Sequence, residues 1–369
     1  MSRLRSPETA TALLPRDTPV QLVTAAGEHT PDPAYAIPTD DELIRAYSSL
    51  VTGRRINDQC NALVRQGRLA VYPSSNGQEA CQIAAALALR ETDWLFPTYR
   101  DSVAIISRGV APAEAMVLLR GDWHSGYDPH EHCVAPQATP LATQLLHAVG
   151  FAHAAKLRGE DTVVLAMCGD GATSEGDFHE AMNFAAVFEL PVVFFVQNNE
   201  FAISVPLSRQ TAAPSLAHKA IGYGMPGQRV DGNDVAALLA VLGEAVDRAR
   251  AGAGPTLIEA HTYRMLAHTN ADDDTRYREH EAVQAWTGRD PLTRVRTLLR
   301  ERGLLSDEAE AQFTEAAERT AADLRATMHA EPEVDPADLF RHVFAEQPAM
   351  LDAQWRMLQD EIDRTEADA

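Results

Sequence analysis

Four groups of residues in this sequence could do chemistry together. Gly169-Asp170-Gly171 sets one carboxylate between two residues that lack side chains, so the backbone there can come close to a phosphate. Asn198-Asn199 supplies amide oxygens further along. Asp170 and Asn199 are hard oxygen donors of the kind magnesium takes, the ion usually completing its octahedron with phosphate and water. Tyr99-Arg100, within FPTYRDS, carries a guanidinium whose fork matches phosphate oxygens. His268, in the polar run YRMLAHTNADDD, could donate to a phosphate or pass a proton near neutral pH. Each group also has a plainer reading. A GDG alone is a common turn, a Tyr-Arg pair is a surface loop, and a loop histidine is usually just solvated.

For these groups to meet, the chain must carry them to one edge. Thr162 to Met167 is a short apolar run, Glu175 to Phe188 has helical spacing, and Pro191 to Val196 is a second apolar run. That is a strand, helix, strand unit of a buried parallel sheet. Asp170 and Asn199 then fall at the carboxyl ends of neighbouring strands, where open α/β sheets bind ligands. Ala172 to Glu175 is expected to open the intervening helix, with its first amides free to meet a phosphate. A further helix, Asn233 to Ala251, leads to a strand at Thr256 to Ala260.

Upstream, Pro38-Thr39-Asp40-Asp41 caps a first helix, Gly77 to Arg90 is alanine-rich and helical, and Pro140 to Arg158 reads as a helix closing at Gly159. The expected divisions are an extended arm over residues 1–38, of a kind that often crosses to a partner, an α/β domain over 39–290, and a helical region over 291–369. In the last, Leu351, Trp355, Leu358 and Ile362 form an apolar stripe, read either as packing on the chain's own core or as a subunit contact.

Composition narrows the functional class. The chain has 369 residues, 45% of them hydrophobic, enough for a sizeable core. Its formal net charge of -21 repels phosphate backbones and anionic lipid, so nucleic-acid and membrane-surface roles are not expected. Cys60, Cys81, Cys133 and Cys168 show no CxxC pair, which fits a reducing compartment and argues against disulfide or zinc frameworks. No apolar run reaches the length of a membrane helix. Arg3 and Arg5 hint at a transit peptide, but Glu8, Asp17 and Glu28 argue against one, and a cytoplasmic location is expected.

The stretch from Gly169 to Ser204, GDGATSEGDFHEAMNFAAVFELPVVFFVQNNEFAIS, closely resembles the alpha subunits of branched-chain 2-oxo acid and pyruvate dehydrogenases. The likeness runs from about Val20 to the C-terminal helices. It implies a thiamine-diphosphate-binding α/β fold, a parallel sheet flanked by helices, with an N-terminal arm and C-terminal helices. It further implies thiamine diphosphate held through Mg2+, with Asp170, Asn199 and the backbone carbonyl of Phe201 on the metal. Gly171, Ala172 and Gln197 would line the diphosphate, and Tyr99 and Arg100 would contact it. Thr139 and Leu141, in TPLATQ, would meet the pyrimidine. His268 would be the catalytic residue that steadies intermediates and receives the lipoyl group.

The same resemblance implies that the glutamate facing the aminopyrimidine comes from a beta subunit. The expected assembly is therefore an α2β2 heterotetramer docking to a lipoyl-bearing acyltransferase core. Its reaction is oxidative decarboxylation of a 2-oxo acid, branched-chain or pyruvate, with acyl transfer to the lipoyl group. Thr269 stands where mitochondrial relatives carry a phosphorylated serine, so equivalent kinase control is not expected.

One segment departs from the relatives' glycine-rich pattern: Gly121 to Cys133, GDWHSGYDPHEHC. Its histidines, acids and cysteine could bind a transition metal, although the spacing fits no established ligand pattern; a rearranged loop at the site entrance is the other reading. Two rival functions stay open at this point. One is an acetoin dehydrogenase alpha subunit; the other is a non-catalytic cofactor-binding subunit whose GDG and NN are relics.

Overall fold

A computed structural model describes residues 13–122, 125–330 and 335–367. Arg3, Arg5 and Glu8, and Trp123 and His124 of the divergent segment, lie outside the described residues. The chain divides into two compact units after Met328.

The first unit is built on a five-stranded sheet in the order β1 (Trp94–Phe96), β2 (Val164–Gly169), β3 (Val192–Asn198), β7 (Thr256–His261) and β6 (Gly227–Asp231). Every pairing in it is parallel. Both faces of such a sheet are covered, and β2 and β3 accordingly read as unbroken apolar runs. Successive side chains alternate between two cores. Leu165, Met167, Val193 and Phe195 enter one, and Val164, Ala166, Cys168, Val192, Phe194 and Val196 the other. The first core includes residues of the helices Asp40–Arg65, Glu79–Leu87, Val235–Arg250, Pro291–Glu301 and Asp307–His329. The second includes those of Thr143–Arg158 and Gly176–Val187. The expected α/β architecture is therefore present.

Local chemistry explains most boundaries. Thr39 caps the first helix in a reciprocal box with Glu42, its side chain accepting from Glu42 N–H while the Glu42 carboxylate accepts from Thr39 N–H. Gly159 ends the Thr143–Arg158 helix in the left-handed region. Two boundaries differ from expectation. That helix starts at Thr143, after an exposed Pro140, so proline is not in its first turn. And Gly171–Ser174 forms a single 3-10 turn, broken by the extended backbone of Glu175 before the Gly176–Val187 helix begins.

The described part of the arm lies over its own chain. Val20 N–H donates to the Arg229 carbonyl and the Val20 carbonyl accepts from Asp231 N–H, adding a short parallel bridge at the β6 edge. Asp234 then clamps arm and helix together. Its Oδ2 accepts from Leu22 and Val23 N–H, both at 2.7 Å, and its Oδ1 caps the Val235–Arg250 helix. Val20, Leu22 and Val23 are buried.

The second unit contains the short helix Asp338–Arg341 and the long helix Ala349–Ala367. Within it the Phe340 and Trp355 rings meet at 5.6 Å. Leu351, Trp355, Leu358 and Ile362 are only partly buried. Among the described residues no helix is long and apolar enough to cross a membrane.

Candidate active site

The parallel register brings the chemistry-bearing residues together. Gly169 pairs with Gln197 and Asn198 with His261, so β2, β3 and β7 end at one level. Above those ends lies a cavity of about 390 Å³. Tyr99, Arg100, Leu141, Asp170, Gly171, Ala172, Gln197, Asn199, Phe201 and His268 all line it. Thr139 does not; it is exposed. Asn198 turns the other way, as the residue before Asn199 on an extended strand must. Its amide donates to Glu259 on β7 at 2.8 Å.

Asp170 is 1% exposed, and burial pushes its carboxyl above the usual range. Its Oδ2 accepts from Gln210 Nε2 at 2.6 Å. Among the described residues no ion pair involves Asp170, although a buried carboxylate is stable in its charged form only beside a cation or several donors. Gln210 Oε1, next to it, is buried without a hydrogen-bond partner. This is a donor set suited to a cation: carboxylate, amide oxygen and, two residues past Asn199, the Phe201 carbonyl. Among the described residues no cluster of three His, Cys, Asp or Glu side chains is placed for a metal. The acids and histidines described in the divergent segment form none either.

Along the cavity floor runs a file of buried amides. Asn199 Nδ2 donates to Gln78 Oε1 at 2.7 Å, Gln78 Nε2 to Gln197 Oε1 at 3.0 Å, and Gln197 Nε2 to Asp101 Oδ1 at 2.7 Å. The other carboxylate oxygen of Asp101 accepts from Thr98 N–H and Oγ1–H, both at 2.7 Å. Gln78 is held in place by its neighbour. Gly77 has φ +94°, and a Cβ there would sit 1.9 Å from the Tyr263 carbonyl oxygen, so only glycine allows this approach. Gly77 N–H donates to buried Glu79, whose other oxygen takes Arg54 at 2.6 Å.

The loop after β3 closes over the cavity as a small hairpin, β4 (Phe201–Ala202) with β5 (Val205–Pro206). Ile203 has φ +54°, an unfavourable state for a β-branched residue that persists only where surroundings enforce it. Arg264, 1% exposed, does the enforcing, donating to the carbonyls of Phe201 at 3.3 Å and Ile203 at 2.7 Å. Across from it, a Cβ on Gly171 would lie 2.7 Å from Ala202 Cβ. Gly169 differs: a Cβ there would meet nothing within 4 Å, so its missing side chain leaves room in the cavity.

Arg100 and His268 form a unit. Arg100 donates to the Ser74 carbonyl and, through one NH2 group, to both His268 Nδ1 and the His268 carbonyl, each at 3.0 Å. Burial, and then the nearby charges of Arg100 and Arg264, push the imidazole down to about 4. The ring is thus neutral at pH 7. With Nδ1 accepting from Arg100, its proton is on Nε2. Asp272 orders the loop by accepting from His268 N–H at 2.8 Å.

Sequence reading missed Gln78, Arg209, Gln210 and Arg264, all of which line the cavity. Arg264 stood in the same segment as His268, and an arginine in that run was a usable signal. Gln78 and Gln210 carried none, since glutamine is common on helices and in loops. The arginines matter for charge: Arg100, Arg209 and Arg264 line the cavity with two carboxylates, Asp170 and Glu175, leaving a positive balance in a chain of net charge -21. A polyanion fits such a site, and with the acidic and amide oxygens it fits one carried on a divalent cation.

Comparison with known proteins agrees with this chemistry. The family model described as Dehydrogenase E1 component matches residues 48–337. The chain is 51% identical over 349 residues to the 3-methyl-2-oxobutanoate dehydrogenase subunit alpha of Mycobacterium tuberculosis (strain CDC 1551 / Oshkosh), covering 94% of this chain and 95% of the relative. It is 42% identical over 292 residues to the pyruvate dehydrogenase E1 component subunit alpha of Staphylococcus aureus (strain Mu50 / ATCC 700699), covering 79% of this chain and 78% of the relative. With the family model spanning most of the chain and both relatives well above 30% identity, this protein belongs to the dehydrogenase E1 component family.

Proposed function

We propose that this chain is the alpha subunit of a thiamine-diphosphate-dependent 2-oxo acid dehydrogenase, acting in the cytoplasm with a beta subunit as an α2β2 heterotetramer. The observation that carries the reading is the meeting of Asp170 and Asn199 at adjacent strand ends, under a cavity whose other charges are mainly guanidinium. Asp170, Asn199 and the Phe201 carbonyl would hold Mg2+. Gly171, Ala172 and Gln197 would line the diphosphate, with Tyr99 and Arg100 against it. Leu141 would touch the pyrimidine; Thr139, outside the cavity, is left without a role. Bound thiamine diphosphate would supply the electron sink for loss of carbon dioxide from the 2-oxo acid.

The chain's own residues orient and desolvate. Arg100 is 5% exposed and fixed at several points, so its charge needs no reorganisation when an anion arrives. Neutral His268 offers an Nε2–H donor that can stabilise developing charge by a hydrogen bond. The acyl group would then pass to a lipoyl group on an acyltransferase core.

The cavity rim supports a half-site completed by another chain. Leu141, Ile203 and Val205 line it with 44%, 56% and 42% of their surface exposed, a cluster of large apolar side chains unusual at a finished active site. Leu157, Phe184, Val187 and Phe188 are likewise exposed on the second-core side and suit a subunit contact. A branched-chain substrate is preferred in this reading, since the relative named for 3-methyl-2-oxobutanoate shares more identity over more of the chain.

Reconstitution with a beta subunit tests the proposal. The pair is expected to bind thiamine diphosphate in a Mg2+-dependent way and to decarboxylate 3-methyl-2-oxobutanoate faster than pyruvate. Normal decarboxylation by the isolated chain would refute the half-site, and faster pyruvate turnover would refute the substrate preference.

A further inference from the structure

Asn199 can ligate a cation only through its amide oxygen; turned over, it would aim an NH2 group at the ion. Shape does not separate the two states, because the amide oxygen and nitrogen are nearly the same size. Hydrogen-bond partners do separate them. The Asn199 amide is the last of three buried amides in file, each donating to the oxygen of the next, ending at Asp101. In such a file every member can reverse provided the others reverse with it, so the direction must be set at an end.

Asp101 is an end that can set it. Its carboxylate, fully buried, accepts only, and its second oxygen is already taken by Thr98 N–H and Oγ1–H. Gln197 must therefore present its NH2 to Asp101, Gln78 its NH2 to Gln197, and Asn199 its NH2 to Gln78. At the far end Phe201 N–H donates to Asn199 Oδ1 at 3.2 Å, in agreement with that direction. We propose that Asp101 is the positioning residue that turns the Asn199 oxygen towards the metal, acting through Gln197 and Gln78 without touching the ligand. Resting on the reading of Asn199 as a Mg2+ ligand, it goes beyond it by assigning a role to a side chain outside the cavity.

The file makes an unusual test available, because its polarity can be reversed as a whole. In Asp101→Asn the end can keep its oxygen on Thr98 and offer NH2 to Gln197, which permits the inverted file, with a nitrogen towards the metal and the bond from Phe201 N–H given up. In Asn199→Asp, with Asp101 intact, Gln78 Oε1 faces a carboxylate oxygen. In the double variant the new amide at 101 donates to Gln197 Oε1, Gln197 Nε2 to Gln78 Oε1, and Gln78 Nε2 to the new carboxylate at 199. Every bond is restored, and an oxygen still faces the metal.

The measurement is thiamine diphosphate affinity of the reconstituted alpha-beta enzyme as a function of Mg2+, by titration calorimetry. Each single variant is expected to weaken Mg2+-dependent binding roughly tenfold, the scale of an outer-shell change, and the double variant to return within about threefold of the wild type. Unchanged affinity in Asp101→Asn, or a double variant no tighter than the weaker single one, overturns the proposal. Asn199→Ala separates the two ideas. If it leaves Mg2+ dependence intact, the metal-ligand reading itself is wrong; if it weakens binding while the double variant fails to recover, only the role of Asp101 falls.

Discussion

The floor and the rim of the cavity are built on opposite principles. On the floor, Gln78, Gln197, Asn199 and Asp170 are each at most 5% exposed, and their polar atoms are held by neighbours on rigid strands and a helix start. At the rim, Leu141, Ile203 and Val205 are apolar, exposed and carried on loops. A buried polar group without its partner costs about 1–3 kcal/mol, so the floor tolerates little change. An exposed leucine costs little to lose until something packs on it. Specificity can vary at the rim and not below it: the floor is committed to one anion and its cation, while the rim awaits another surface.

Substitutions should expose that contrast in graded steps. Asp170→Ala strikes the floor hardest, because it removes the one carboxylate in the proposed Mg2+ donor set. Mg2+-dependent thiamine diphosphate affinity of the assembled enzyme should fall by roughly 100-fold or more; an unaltered titration would contradict the floor assignment. His268→Ala comes next, with a loss of roughly 100-fold in overall complex turnover, the lower range for removing a positioned hydrogen-bond donor. A complex that runs at the wild-type rate would make the histidine a bystander.

The same histidine makes a pH statement. Its folded value of about 4 lies below the ordinary 6.5, so between those values the unfolded chain binds the proton and the folded chain does not. Stability from the neutral ring is therefore present above about pH 6.5 and lost as pH falls towards 4. Titration of the imidazole by NMR should show no inflection near 6.5, and Arg100→Gln should move the inflection upward by removing a cation; a wild-type inflection near 6.5 would show that the ring is neither buried nor held against Arg100.

Gly77→Ala tests the scaffold beneath the floor. A methyl group against the Tyr263 carbonyl, with backbone at φ +94°, should lower unfolding free energy by about 1–3 kcal/mol in a denaturant titration. Equal stability would mean the two segments can part freely. At the rim, Leu141→Ala should weaken cofactor binding only about fivefold, the scale of a partly buried apolar side chain, and only in the presence of the beta subunit. A large loss in the isolated chain would place Leu141 with the floor.

Much of the fold was legible from period and punctuation alone. Unbroken apolar runs with a helix between them announce parallel strands, and Thr39 with Glu42 announces a helix start, because these signals act within a few residues. The GDG and NN pairs, read with the family likeness, located the strand-end chemistry. What local pattern could not convey was which way a side chain faces at a loop. Thr139 sits two residues from Leu141 and is exposed, while Leu141 lines the cavity. Pro140 looked like a helix start, yet the chain first crosses beside Thr98, where Tyr99 N–H donates to the Ala138 carbonyl, and begins its helix only at Thr143.

Residue identity and short-range spacing were enough for the three central strands β2, β3 and β7, the donor types and the family, but not for the outer strands β1 and β6. Folding alone shows that Gln78, Gln210, Arg264 and Asp101 serve the cavity in which Gln197 was already expected. Those residues are far apart along the chain, and hydrogen bonds are effective over about 3 Å. Their relation exists only once the parallel register has set the ends of β2, β3 and β7 level, with the start of the Glu79–Leu87 helix beside them.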